Sequence, residues 1–160
     1  MRAISLYTGP LFIGSDHGGY ALKKRLVRFI INELKSSVDD LGPDAYVEDD
    51  DYPIYASRVA EAVRGSRGRG ILICKNGIGV CIAANKYDGV RAGIGYNIPA
   101  AESMRADDDT NILCLAAHHL SEDHACAIVR TWLTTPFSEQ ERHRRRLSHI
   151  EKITEAEKEQ

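Results

Sequence analysis

The nine residues from Ile71 to Gly79 constrain the fold of this chain more than any other segment. Their sequence is Ile-Leu-Ile-Cys-Lys-Asn-Gly-Ile-Gly. The three leading apolar residues are typical of a buried strand. Cys74 follows at the carboxyl end of that strand, which is where open α/β sheets bind their ligands. The glycines after it allow a sharp turn that aims backbone N–H groups at an anion or a developing oxyanion. A base or nucleophile beside an anion-binding loop is a catalytic arrangement.

Strand-like and helix-like segments alternate along the rest of the chain. Short apolar runs, each closed by a polar or glycine-containing stretch, predict five strands. We expect these strands at residues 11–14, 38–41, 70–74, 90–94 and 111–115. Apolar residues at helical spacing predict helices near residues 20–34, 55–65, 77–85 and 98–106, and one that Ser121 caps and Pro136 stops. This alternation implies an α/β fold, a parallel sheet with helices on both faces.

Length, composition and charge favour a single domain over residues 1–160. The chain has 160 residues, 43% of them hydrophobic, and a formal net charge of −2. This charge gives no reason to expect nucleic acid or a membrane as a partner. No apolar run approaches the ~20 residues that span a bilayer, and residues 1–10 lack the pattern of a secretory signal. The cysteines show no C-x-x-C spacing, so we expect reduced thiols in a cytoplasmic protein.

Asp16 and His17 follow the first predicted strand and belong to the same edge of the sheet as Cys74. A histidine there can hold a phosphate or a substrate oxygen. Alternatively, Asp16 only caps the next helix and His17 is an exposed loop residue. Cys74 taken alone would be a core thiol, but its place before the glycine loop favours a base. A helix that begins near Gly77 would favour the thiolate form that a base needs.

The charged segment of residues 138–160 is compatible with a C-terminal helical tail. It has few apolar residues, so a partner subunit is one surface on which it could pack. Arg142 and Arg146 share one helical face, which suits a clamp for a single phosphate. The same pattern also fits a solvated basic face that balances neighbouring acids. The absence of interleaved aromatic residues argues against a nucleic acid partner.

Two common cofactor loops are disfavoured. Residues 14–19 contain no G-x-G-x-x-G, and residues 76–79 lack the Gly-Lys-Ser/Thr ending of a phosphate-binding loop. Nicotinamide and ATP chemistry are therefore not expected.

Six motifs, in the same order along residues 11–150, resemble the family of ribose-5-phosphate isomerase type B, which also holds the galactose-6-phosphate isomerase subunits. The motifs are Gly14-Ser15-Asp16-His17-Gly18-Gly19, Asp51-Tyr52-Pro53, Ile71-Leu72-Ile73-Cys74-x-x-Gly77-Ile78-Gly79, Ile82-Ala83-Ala84-Asn85-Lys86, Gly89-Val90-Arg91-Ala92 and Arg142-His143-x-x-Arg146. The resemblance implies a Rossmann-like three-layer α/β sandwich. It also implies a homodimer or homotetramer with active sites between subunits, and no metal or organic cofactor.

The activity implied by this resemblance is aldose–ketose isomerisation of a sugar phosphate, with ribose 5-phosphate and ribulose 5-phosphate as the default pair. Cys74 would be the base that moves a proton between C1 and C2 through a cis-enediolate. The backbone of residues 77–81 would supply the anion hole. The positions that match the rest of the family's substrate site are Asp16, His17, Tyr52, Gly77, Gly79, Val80, Cys81, Arg142 and Arg146. A base near the carbon and charge stabilisation at the oxygen are what this proton transfer needs.

Three positions depart from the family pattern. Asn76 stands where the family has a threonine that assists ring opening, and Asp107 stands where it has the ring-opening histidine. An ionised carboxylate can accept a proton but is a poor donor at neutral pH. His118 replaces an arginine, so one phosphate contact is weaker or charged only at lower pH. We assign Asn76 and Asp107 to catalysis, and Lys75, Asp108 and His118 to substrate binding.

These departures leave two alternatives to the default pair of substrates. The chain could isomerise another tetrose, pentose or hexose phosphate, or it could be a non-catalytic subunit that binds a sugar phosphate. The presence of Cys74 with its intact glycine loop favours catalysis over the second alternative.

Overall fold

A five-stranded parallel sheet forms the centre of the computed structural model, which describes residues 5–158. Its strands are β1 (Leu11–Ser15), β2 (Asp39–Asp40), β3 (Arg69–Cys74), β4 (Ala92–Ile94) and β5 (Ile112–Ala116). They lie in the order β2-β1-β3-β5-β4, so β3 is the central strand. The predicted α/β class with a five-stranded parallel sheet is confirmed.

Helices connect the strands and cover the sheet. They are α1 (Tyr20–Arg28), α2 (Tyr52–Ser66), α3 (Ile78–Ala84), α4 (Ile98–Ala106), α5 (Glu122–Thr134) and α6 (Glu141–Lys158). The chain continues after α1 as a wider π turn over Phe29–Glu33, so the predicted helix of residues 20–34 has two geometries. Ser121 caps α5 as expected, because its Oγ accepts the N–H of His124. None of the helices in residues 5–158 combines the length and the apolar character that crossing a membrane requires.

The sheet separates two hydrophobic layers. Helices α1, α4 and α5 contribute to the layer on one face, and α2 and α3 contribute to the layer on the other. Successive residues of a strand point to opposite faces. In β3, Ile71 and Ile73 accordingly pack in the first layer, while Leu72 and Cys74 pack in the second. The three-layer sandwich implied by the family resemblance is therefore present, and Cys74 belongs to the layer of α2 and α3.

The register of the strands brings three carboxyl ends to one edge of the sheet. Ser15 at the end of β1 pairs with Ile73, and Cys74 at the end of β3 pairs with Ala116 at the end of β5. The turns that follow these three strands consequently lie side by side. This is the edge at which parallel α/β sheets bind their ligands.

The first half of the tail helix α6 packs on its own chain. His143 and Leu147 are buried, and the N–H of Ser138 donates to the carbonyl of Ala106 (3.0 Å). Ile150 and Ile153, further along the helix, are exposed. Packing of the tail on a partner subunit stays a prediction.

Lys23 connects α1 to the end of β2 and to the segment that follows it. It is fully buried, and its Nζ donates to both carboxylate oxygens of Asp40 (2.7 and 2.9 Å) and to the carbonyl of Pro43 (2.6 Å). A buried ammonium group is tolerated when it is paired and hydrogen-bonded. Strand β2 is shorter than predicted because it consists of two exposed acidic residues at the sheet edge, which give no apolar face to extend.

We expect Asp40→Asn to lower the free energy of unfolding by about 3 kcal/mol, because the substitution leaves the Lys23 ammonium buried without a carboxylate. Urea denaturation followed by circular dichroism measures this value. Asp39→Asn is the matched control, since Asp39 is the exposed neighbour on β2. It should change the free energy by less than about 0.5 kcal/mol. Equal effects of the two substitutions would contradict a stabilising role for the pairing of the buried Lys23 with Asp40.

Candidate active site

Cys74 ends the central strand, and it lines a cavity of about 430 Å³ at the carboxyl edge of the sheet. The residue is only 4% exposed. The backbone N–H of Gly77 donates to its Sγ (3.1 Å), and Sγ lies 3.8 Å from Oδ1 of Asn76. A donated N–H stabilises negative charge on its acceptor. The sulfur therefore lies at a cavity that a ligand can enter, and one backbone N–H is directed at it.

The turn after Cys74 requires glycine at two positions. Gly77 has a φ of 74°, a left-handed conformation that residues with a Cβ rarely adopt. A Cβ on Gly77 would also lie 3.1 Å from the carbonyl carbon of Leu115 in β5. A Cβ on Gly79 would lie 2.6 Å from the ring of Tyr52. The first glycine makes the turn possible, and the second allows Tyr52 to lie against the start of α3.

The backbone donors of this loop differ from the expected set. The N–H of Gly77 donates to Cys74, and the N–H of Ile78 donates to Oδ1 of Asn76 (3.1 Å). The N–H groups in the first turn of a helix have no intrahelical acceptor. The donors that remain for a ligand therefore begin at Gly79 rather than at Gly77. Asn76 uses its carbonyl oxygen for the helix start, which leaves its amide nitrogen as the group it can offer to a substrate.

Val80 and Cys81 face away from the cavity, so any contribution they make to a ligand comes from the backbone. The side chain of Val80 is fully buried. Sγ of Cys81 donates to the carbonyl of Ala92 (3.4 Å) and accepts from Nδ2 of Asn85 (3.6 Å). Burial raises the pKa of the neighbouring Cys114 thiol, as expected for a core cysteine.

Asp16 and His17 lie on the turn after β1, and both line the Cys74 cavity. Oδ1 of Asp16 accepts the N–H of Gly19 (3.1 Å), so Asp16 also caps the short 3₁₀ turn of residues His17–Gly19. His17 is held in place by Asp50. Its backbone N–H and its ring Nδ1 both contact Oδ1 of that carboxylate, at 2.7 and 2.8 Å.

His17 and Asp50 have shifted pKa values. The hydrogen bond with Asp50 raises the pKa of His17, while desolvation acts in the opposite direction with a smaller effect. Burial raises the pKa of Asp50, but the hydrogen bonds from the backbone and the ring of His17 help to outweigh it, so the pKa lies below its usual value. An imidazolium at the cavity supplies a positive charge for a phosphate or an anionic oxygen.

Asp50 is a site residue that sequence analysis missed. It lies in the acidic stretch of residues 48–51, which reads as a loop, and nothing in the spacing separates it from its acidic neighbours. The available signal was its position two residues before Tyr52. Only the fold shows that this carboxylate reaches back to the turn after β1.

The structure brings seven of the fifteen predicted site residues together around one cavity. Lys75 is exposed at the rim, where it also lines a more polar cavity of about 610 Å³ with Tyr46 and Glu48. The N–H of His118 donates to the carbonyl of Lys75 (3.0 Å), which places His118 beside the site. The predicted residues that line the Cys74 cavity are Asp16, His17, Tyr52, Cys74, Lys75, Asn76 and Gly79.

Besides Gly77, Val80, Cys81 and His118, which are next to the cavity without lining it, four predicted residues lie on more distant segments of the same chain. Asp107 follows α4, and its Oδ1 lies 3.5 Å from Nδ1 of His143. Asp108 lines a groove beside α6. Arg142 and Arg146 are exposed on α6. The predicted phosphate clamp is thus separate from the predicted base in a single copy of the chain.

The cavity offers a thiol, an imidazole, a carboxylate, an ammonium group and a phenol. This set suits the hydroxyls, the carbonyl and the negative charge of a sugar phosphate. Among the described residues, no group of three or more His, Cys, Asp or Glu side chains could hold a metal ion. A reaction without metal or organic cofactor stays a prediction.

We expect Asp50→Asn to lower the pKa of His17 toward its ordinary value of 6.5, because the carboxylate that stabilises the imidazolium is lost. NMR titration of the imidazole protons measures this change. Since folding raises the pKa of His17, the pair stabilises the fold fully below about pH 6.5 and loses that contribution as the pH rises through the folded pKa. Asp51→Asn, at an exposed neighbour, is the control. A His17 pKa that is the same in both variants would refute the coupling.

Comparison with known proteins gives the family. The sequence profile of the family described as Ribose/Galactose Isomerase matches residues 11–150. Ribose-5-phosphate isomerase B of Escherichia coli is 39% identical over 141 residues, which cover 88% of this chain and 93% of that protein.

Solved structures agree with this match. Ribose-5-phosphate isomerase B of Clostridium thermocellum has a TM-score of 0.87 at 40% identity, over 92% of this chain and 98% of that one. The enzyme of the same name from Mycoplasma genitalium, solved with bound ribulose-5-phosphate, has a TM-score of 0.87 at 36% identity, over 93% of this chain and 98% of that one. With its six motifs, its sheet topology and these similarities over nearly the whole length, the chain belongs to the Ribose/Galactose Isomerase family.

Proposed function

We propose that this chain interconverts ribose 5-phosphate and ribulose 5-phosphate, with Cys74 as the base. The observation that carries the proposal is the position of the sulfur, which lies at a cavity on the ligand-binding edge of the sheet and accepts the N–H of Gly77. The names of the Escherichia coli and Clostridium thermocellum relatives support this pair of substrates, as does the ribulose-5-phosphate in the Mycoplasma genitalium structure.

The reaction needs a base near the carbon and donors near the oxygen. The thiolate removes the proton on C2 of the open aldose, the electron pair forms the C1–C2 double bond, and O1 gains negative charge. The proton then returns to C1, the hydroxyl proton of O2 moves to O1, and C2 becomes the carbonyl of the ketose. A positioned base contributes about 10²–10⁴ to the rate, and one oxyanion donor about 10²–10³. Cys74 would supply the first contribution, and the N–H groups that begin at Gly79 the second.

We assign the phosphate end of the site to a second copy of the chain. Arg142 and Arg146 are exposed on α6 and lie outside the Cys74 cavity, so a partner's α6 would have to bring them there. Ile78 and Ile82, 51% and 59% exposed at the cavity rim, offer an apolar surface for that partner. A homodimer with two-fold symmetry completes two such sites at once, and a homotetramer can contain two such dimers.

Asp107 is the residue that most directly restricts the substrate. It would reach the site from the partner with the arginines, and an ionised carboxylate accepts a proton but donates one poorly. Lys75, exposed at the rim, is the group that we assign to polarising a sugar oxygen in place of the missing donor. A tetrose phosphate, which cannot close a furanose ring, is the second candidate substrate because it needs no ring opening.

The four cysteines are free thiols. Free thiols are typical of proteins in a reducing compartment, which supports the proposed location in the cytoplasm.

We expect Cys74→Ala to lower kcat on ribose 5-phosphate by at least about 10², because the variant has no base at C2. The assay measures isomerisation of erythrose 4-phosphate, ribose 5-phosphate and glucose 6-phosphate. Cys126→Ala is the matched control, since this thiol is buried in the opposite layer and its loss should leave kcat within a few-fold of wild type. Equal turnover by wild type and Cys74→Ala would remove the thiol as the base.

The same panel separates the candidate functions. Fastest turnover of ribose 5-phosphate supports the main proposal, and fastest turnover of erythrose 4-phosphate supports the second candidate. A wild-type protein that converts none of the three would contradict both and favour a binding subunit.

A shared active site predicts recovery of activity when two inactive variants are mixed. Cys74→Ala and Arg142→Ala should each be inactive alone, but a mixed dimer contains one site with both residues intact. About half of the dimers are mixed, and one of the two sites in each mixed dimer is intact. We therefore expect about a quarter of wild-type activity after subunit exchange. Cys74→Ala mixed with His17→Ala is the control, because these residues line the same cavity of one chain and no mixed site is intact. Failure of the first mixture to recover would contradict the shared site.

A further inference from the structure

We propose that the protein has a second anion-binding site, at the opposite end of the sheet from Cys74, and that it takes a small organic phosphate. The site is a cavity of about 430 Å³ at the amino ends of the strands. Strand β3 runs from Arg69 in this cavity to Cys74 in the other, so the two sites lie roughly 17 Å apart. The proposal goes beyond the proposed function, because no step of the isomerisation uses this cavity.

Arginines dominate the lining of the cavity. Among the described residues that form it, five are arginines and one, Asp109, is an acid. The arginines are Arg64, Arg67, Arg69, Arg91 and Arg105. The chain as a whole carries a formal charge of −2, so this concentration of positive charge does not follow from composition. The fold assembles it from the end of α2, the start of β3, the segment before β4 and the last turn of α4.

Asp109 is shared between two of these arginines. Its Oδ2 lies 2.9 Å from Nη2 of Arg91, and its Oδ1 lies 2.9 Å from Nη1 of Arg105. Arg105 is buried and also donates to the carbonyl of Thr110. Nη1 of Arg91 also lies 3.8 Å from Oε1 of Glu151. Two carboxylates therefore face these two guanidinium groups, and the further positive charge of the cavity comes from Arg64, Arg67 and Arg69.

Arg69 adds a further cation that aromatic rings hold in place. Its Nη1 donates to the carbonyl of Trp132 (3.3 Å). Its guanidinium lies 4.2 Å from the centroid of the Tyr7 ring and 5.5 Å from that of Trp132. Ring faces attract a guanidinium group but do not neutralise its charge. Burial, and then the neighbouring Arg105, lowers the pKa of Arg69 to about 10, as expected for a cation that lacks enough negative charge around it.

Arg64 and Arg67 are exposed residues at the mouth of the cavity. Arg67 occupies the C-cap of α2 with φ 54° and ψ 31°, a left-handed conformation in which glycine is preferred at helix ends. Residues with a Cβ adopt that conformation uncommonly. The exposed side chain of Arg67 at the mouth of the cavity can reach a ligand that enters it.

The chemistry of the lining indicates the kind of ligand. Guanidinium groups bind phosphate oxygens through paired N–H donors, and they do so better than a single ammonium group. A volume of about 430 Å³ falls in the range of small-molecule sites, about 300–1,000 Å³, and exceeds what a free phosphate ion fills. The cavity therefore fits a phosphate group attached to an organic body.

NMR titration of the nitrogen-15-labelled full-length protein tests the proposal with three probes: inorganic phosphate, adenosine 5′-monophosphate and adenosine. We expect saturable shifts of the Gly68, Gly89 and Asn111 amides with both phosphates, and none with adenosine. The monophosphate should bind more tightly than inorganic phosphate. The amides of Gly77 and Gly79 report separately on the site at the other end of the sheet, so failure of one site is distinguishable from failure of the other.

The double variant Arg64→Gln/Arg67→Gln should weaken phosphate binding at Gly68 and Gly89 by at least about tenfold, since it removes two of the guanidinium groups that donate charge-assisted hydrogen bonds to the phosphate. The shifts at Gly77 should persist. Arg28→Gln, at an exposed arginine of α1, is the matched control and should change neither set. Absence of saturable shifts at Gly68 and Gly89, or shifts that the double variant leaves unchanged, would overturn the proposal. Equal affinity for the two phosphates would overturn its organic part.

Discussion

The close approach between the turn at Gly77 and strand β5 is the constraint on which the candidate active site depends. The turn lies so near the Leu115 carbonyl that a Cβ at position 77 would be in closer than ordinary van der Waals contact with it. The left-handed φ of Gly77 also disfavours most other residues at this position. Because the turn is this tight, the N–H of Gly77 points back at the sulfur of Cys74 while α3 begins at the next residue. The sulfur and the loop donors thus come from one local geometry.

The register of the sheet places the other polar groups of the candidate site beside Cys74. Strands β1, β3 and β5 end together, so the Asp16–His17 turn and the segment before His118 lie against the Cys74 loop. The opposite ends of the same strands carry positive charge in place of a thiol and an imidazole. A six-residue central strand therefore separates two chemically different cavities.

The fold was largely predictable from the sequence, because hydrophobic periodicity determines which faces are buried. Residues 98–106 form a helix as predicted, since Asn97 caps its start and apolar residues recur at helical spacing. Strand β2 was less predictable, because it consists of two acidic residues that pair only through the backbone. The π turn after α1 was also missed, since periodicity does not separate it from an α-helix.

Within the site, Cys74 and its glycines could be identified because strand, base and turn are contiguous. The contact of Asp50 with His17 joins residues 33 positions apart and has no local pattern. The arginine cavity is built from separate segments for the same reason.

The central claim is that Cys74 acts directly on the carbon that loses its proton. A crystal structure of the protein soaked with ribose 5-phosphate tests this claim most directly. The account predicts that C1 and C2 of the sugar lie within about 3.5 Å of Sγ of Cys74, with an oxygen of the sugar facing the N–H of Gly79. A sugar bound with both carbons out of reach of the sulfur would contradict it.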